Sequence, residues 1–121
     1  PLAGLNNARN FTFVENLVAY LDRIIERRAG GTFIVMDCDP VSTTDLVRYI
    51  SDGLGRRIFL FRLPSFVISA AKRIYPKYFE RLFGSLLLNN YKTKEILEFE
   101  PPYSIRDGLS KMMEYYQKNQ K

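Results

Sequence analysis

Val14, Leu17, Val18, Leu21, Ile24 and Ile25 fall at the i, i+3, i+4, i+7 spacing of one helix face, with Asp22, Arg23, Glu26 and Arg27 off it. Arg27 and Arg28 suit the negative end of that helix, and Gly30-Gly31 supplies its stop. Further downstream, Ser42 and Asp45 form an acidic capping box ahead of Leu46, Val47 and Ile50. Pro64 fits the first turn of a helix carrying Phe66, Val67, Ala70, Ala71 and Ile74, until Pro76 breaks the pattern. A short helical turn is predicted over 78–83, and a helix capped by Asn89 or Asn90 runs through Ile96 and Leu97. Ser104 and Asp107 repeat the Ser-x-x-Asp start before Ile105, Leu109, Met112, Met113 and Tyr116.

Other stretches carry the period of two or the β-rich composition of strands. Residues 11–14, Phe-Thr-Phe-Val, read as a short strand or its end, and residues 32–36 as a second. In 57–63, Ile58, Leu60 and Arg62 face one way while Phe59, Phe61 and Leu63 face the other; 85–88 adds a short extended piece. The expected fold class is therefore α+β, a mostly helical small domain with two or three short strands. So few strands make no self-contained sheet, and 11–14 calls for a partner in sequence outside this chain.

Composition narrows the field. With 121 residues, 46% of them apolar, the chain has the size and hydrophobicity of one folded domain rather than a disordered segment. A lone cysteine, Cys38, excludes an internal disulfide, and the absence of histidine removes the commonest general base and metal ligand. No uncharged run approaches the ~20 residues needed to cross a bilayer, and no cationic leader precedes an apolar segment, so the expected setting is cytoplasmic. The first residue is Pro1, which raises the question of a longer parent. The net charge of +5 is carried by dispersed cations interrupted by acids, without the patterns of zinc fingers or RNA-binding sheets. A small anionic ligand such as a nucleotide diphosphate fits that modest excess equally well.

Candidate chemistry is sparse. Arg9, flanked by Asn6, Asn7 and Asn10, can present a guanidinium fork to phosphate oxygens or stand as a solvated loop residue. Asn89 and Asn90 are helix caps or the start of an anion site, and Arg81 is a surface residue or a second phosphate ligand. Cys38 lies between Asp37 and Asp39, whose carboxylates disfavour a thiolate, and those two acids read as turn formers rather than a metal pair. None of the eight tyrosines has lysine four residues on, and no Gly-x-Gly-x-x-Gly loop is present. No catalytic centre is recognisable in these residues.

Three separated stretches carry a family resemblance. Arg9-Asn10-Phe11-Thr12-Phe13-Val14-Glu15-Asn16-Leu17-Val18 resembles an Arg-x-Phe-x-Tyr-Val-x-Asp-Leu-Val segment. Gly31-Thr32-Phe33-Ile34-Val35, followed by Ser42-Thr43-Thr44-Asp45-Leu46, is similar to a Gly-x-x-Tyr-Asn-Val-Gly strand and the Ser-x-x-Glu-Leu helix start behind it. Gly84-Ser85-Leu86, Asn89-x-x-Lys92, Leu97-Glu98-Phe99-Glu100-Pro101-Pro102 and Gly108-Leu109 resemble a Gly-Ser-Leu, Asp-x-x-Lys, Leu-Gly-Trp-x-Pro-Pro and Gly-Leu tail, with Asn89 in place of Asp and Glu98-Phe99 in place of Gly-Trp. The family is the extended short-chain dehydrogenase/reductases, in the NAD-dependent nucleotide-sugar epimerase/dehydratase group.

The resemblance implies that residues 1–121 are the C-terminal, nucleotide-sugar-binding portion of a Rossmann-type enzyme whose N-terminal domain is absent. It implies that Arg9 and Arg81 bind the substrate diphosphate, with Asn7 and Asn89 as site neighbours and no catalytic residue. NAD would belong to the parent enzyme and not to this portion. The partners implied are a UDP- or dTDP-linked nucleotide sugar, the missing Rossmann domain and a second copy of the parent. A standalone basic module that binds nucleic acid or a partner protein is the alternative.

Overall fold

The computed structural model describes residues 7–37 and 39–119. Six helices follow one another: α1 (Val14–Glu26), α2 (Thr43–Gly53), α3 (Ser65–Ile74), α4 (Pro76–Phe83), α5 (Tyr91–Leu97) and α6 (Ile105–Asn119). Helix α2 packs on α6, and α3 on α4. Both Ser-x-x-Asp starts fold as read. The Asp45 amide donates to Ser42 Oγ at 3.0 Å, and Asp107 donates to Ser104 Oγ at 3.2 Å while Ser104 N donates back to Asp107 Oδ2 at 3.0 Å. The Ser104 hydrogen bonds hold the Asp107 carboxyl below its usual range.

The expected α+β class is corrected to a helical one. Among the described residues there is no sheet; isolated bridges join Arg9 to Val41 and Arg9 to Leu86. A strand is defined by a ladder, and an alternating pattern without a neighbour to continue it stays extended coil. Residues 11–13 and 32–36 show this. They touch through single bonds, Asp37 N to Phe11 O at 2.8 Å and Thr12 Oγ1 to Val35 O at 2.9 Å, and Val14 already belongs to α1. Without a sheet, the described residues do not have the short-chain dehydrogenase/reductase or Rossmann architecture that the resemblance implies.

The apolar face of α1 is corrected too. Val14, Leu17, Val18, Leu21 and Ile25 are exposed, Ile25 by 72%. The residues turned inward are Asn16 and Tyr20, one helical turn apart and both fully buried. Tyr20 meets Phe99 edge-on at 5.0 Å, and Leu97, Met36, Val41 and Met113 complete the buried apolar set.

Polar side chains hold this core together. Asp37, 1% exposed, accepts from Phe13 N through both carboxylate oxygens at 3.1 Å and from Asn16 Nδ2 at 2.7 Å. Asn16 also donates to Tyr103 O at 2.8 Å and accepts from Tyr103 N at 3.0 Å. Three remote segments thus meet at one knot. Asp37 was read as bonding its own turn; it bonds across the fold instead, and Cys38 lies outside the described residues.

Two backbone details locate the tail. A Cβ on Gly108 would lie 2.7 Å from Phe13 Cγ, so only glycine lets α6 approach this closely. Glu98 follows α5 at φ 44°, in the left-handed region, where the family-like pattern has glycine. Its side chain pairs with Arg27, which lowers the Glu98 carboxyl pKa.

Candidate functional site

Arg9 sits where the extended segments cross. Its backbone exchanges bonds with Val41, N to O at 3.0 Å and O from N at 2.9 Å, and Asn10 N donates to Leu86 O at 3.2 Å. That crossing points the Arg9 side chain at the end of α4. Nε donates to Gly84 O at 3.0 Å and Nη2 to Arg81 O at 2.5 Å. The guanidinium thereby satisfies carbonyls left open by the helix end and opposes the negative pole of its dipole.

Arg9 also lines an open cleft of about 760 Å³, together with Lys72, Lys77, Glu80, Arg81, Ser85 and Leu86. Four cations surround one acid, and Lys72, Lys77 and Arg81 are exposed. None of the four cations is in an ion pair among the described residues. Such a cleft attracts phosphate oxygens, with fork-like donors from arginine and point charges from lysine.

Of the residues singled out in the sequence, Arg9 and Arg81 are brought together here. Asn7 is elsewhere: Nδ2 donates to Thr43 Oγ1 at 2.7 Å and Oδ1 accepts from Thr43 N at 3.0 Å, pinning the start of α2. Asn89 is exposed and accepts from Tyr91 N at 2.8 Å, which caps α5. Lys72, Lys77 and Ser85 were not singled out. Lys72 and Lys77 sit on either side of the Pro76 break at the end of α3, and that break was their only sequence signal.

A second basic cavity, of about 430 Å³, is lined by Arg48, Arg56 and Arg57 with Asp52. Another cavity, of about 270 Å³ between the Phe11–Phe13 segment and α6, is lined by Leu46, Ile50, Leu109 and Met112, and its one charged group, Asp37, is already engaged. Among the described residues no three acidic or cysteine side chains converge on a metal position.

No family model matches the chain, and no solved structure matches it. The chain is 27% identical over 107 residues to a UDP-glucose 4-epimerase of Vibrio cholerae, a match that spans 85% of this chain and 33% of that protein. The similarity is distant, and the chain corresponds to about a third of that relative's length. The function drawn from the resemblance is overturned for these residues. A dinucleotide-binding surface is built at the carboxyl edge of a parallel sheet, and the described residues contain no sheet. The epimerase/dehydratase role with its Rossmann and short-chain dehydrogenase/reductase labels therefore has no surface here to rest on.

Proposed function

We propose that this chain is a helical, anion-gripping portion of a longer nucleotide-sugar-related protein, in which Arg9 and Arg81 contact the phosphates of the ligand. The observation that carries the reading is the cleft of about 760 Å³ in which Arg9, Lys72, Lys77 and Arg81 face a single acid, Glu80. The similarity to a UDP-glucose 4-epimerase supports a nucleotide sugar as the ligand class. The proposal assigns no hydride transfer, isomerisation or dinucleotide binding to these residues; NAD used by the parent protein would be held outside them.

The uncovered face of α1 supports the idea of a portion. Val14, Leu17, Val18, Leu21 and Ile25 form an uncharged strip on the surface, of the kind that another part of the same protein buries. Arg9 is fixed to α4 before any ligand arrives, so its role is a preset one, and Arg81 is the exposed contributor.

Calorimetry of the intact protein tests this with uridine, UDP and UDP-glucose. Both phosphate-bearing ligands are expected to bind and uridine to fail, and Arg81→Ala should weaken UDP by about tenfold. Equal binding of uridine and UDP, or an Arg81→Ala protein with unchanged affinity, would remove the cleft from the reading.

A further inference from the structure

The net charge of the chain is not spread evenly over its surface. Residues 56–83 contain Arg56, Arg57, Arg62, Lys72, Arg73, Lys77 and Arg81 against Glu80 alone, so these 28 residues carry +6 and the rest of the chain −1. All seven cations are exposed, and none is in an ion pair among the described residues. Large apolar side chains lie exposed in the same stretch: Phe59 by 92%, Phe66 by 72% and Phe61 by 54%.

The turn between α3 and α4 concentrates the pattern. Ile74, Tyr75 and Tyr78 stand 62–69% exposed, with Tyr75 and Tyr78 edge-on at 6.5 Å, and Lys72, Arg73 and Lys77 flank them. An apolar tip in a collar of unpaired cations differs in kind from the uncharged strip on α1. Packed against a protein interior, these cations would lose water without gaining partners. At the boundary of an anionic bilayer, the tip enters the headgroup and acyl region while the collar meets lipid phosphates. The projecting helical turn also differs from the grooves and sheets on which bases stack in single-strand binders.

We propose that the surface of residues 56–83, led by the α3–α4 turn, docks on a membrane rich in anionic lipid. The protein lies on the bilayer rather than through it, since among the described residues no helix is long and apolar enough to cross. This goes beyond the cleft reading; Lys72 and Lys77 belong to both surfaces, Arg62 and Arg73 to this one alone.

The test is sedimentation of the intact protein with vesicles of phosphatidylcholine, alone or mixed with phosphatidylglycerol. Binding is expected only to the mixed vesicles and should fall as salt rises. Reversing two charges of residues 56–83 that lie outside the cleft, Arg62→Glu with Arg73→Glu, should lower the partition by about tenfold or more while UDP binding is retained. Tyr75→Trp should show a blue-shifted emission on the mixed vesicles alone, which reports insertion of the tip independently of the charge reversals. The proposal is overturned by absent or equal binding to the two vesicle types, or by loss of vesicle binding to inorganic phosphate at fixed ionic strength, which would trace it to the cleft. It is equally overturned by an oligonucleotide that displaces the vesicles, or by strong hydrogen-exchange protection of residues 56–83 in the intact protein without lipid, which would show the surface covered.

Discussion

Around Asn16 the chain closes on the buried side chains of Asn16 and Asp37, which bond each other and backbone groups, whereas no described side chain from 56 to 83 is fully buried. In the first region Asp37, Asn16 and Tyr103 link segments 21 and 87 residues apart, and the knot is backed by Tyr20 against Phe99 and Phe13 against Tyr103. In the second, α3 and α4 rest mainly on each other and present aromatics and cations outward. Hydrogen bonds taken out of water are costly to break, and surface side chains are cheap to change. The difference teaches where this protein keeps its stability and where it keeps its surface for others.

The largest expected effect lies in the knot. Asp37→Ala leaves Phe13 N and Asn16 Nδ2 without their acceptor in a dry setting, at a cost of about 2–4 kcal/mol, read by urea unfolding. A loss too small to measure would mean that water or a neighbour replaces the carboxylate, and the contrast between the regions would shrink. Next comes Gly108→Ala, whose new methyl meets the Phe13 ring; about 1–3 kcal/mol is expected because both α6 and the ring are held. Smallest is Phe66→Ala on α3, expected within about 0.5 kcal/mol of the parent in the same measurement. A cost comparable to Asp37→Ala would show that residues 56–83 are packed in solution, and it would count against an outward role for them.

Local signals were legible. The boxes at Ser42–Asp45 and Ser104–Asp107 and the break at Pro76 are decided by neighbours three or four residues away, whereas α1 ends at Glu26 with Arg28 in the left-handed region, ahead of Gly30-Gly31. The α1 periodicity located the helix correctly but not its buried side, because an apolar face turns inward only when something covers it. Strand-like patterns at 11–14 and 32–36 failed for a related reason: alternation describes a fit to neighbours, and the described residues supply no ladder.

The site divides in the same way. Arg9 and Arg81 were readable through the family-like segments, and the structure does place them on one cleft. That Arg9 spends two donors on the end of α4, and that Asn7 is locked to Thr43, follow from contacts 36 to 75 residues apart which no local pattern encodes.

The amino-acid order alone determined the helix starts and stops, the excess of cations and the lack of histidine chemistry, since each depends on composition or on near neighbours. Only the tertiary structure decided which face of α1 is buried, that Asn16 and Asp37 form the core knot, and that the cations and aromatics of residues 56–83 stay exposed. Those outcomes depend on which distant segments meet, and burial is a property of the meeting rather than of either segment.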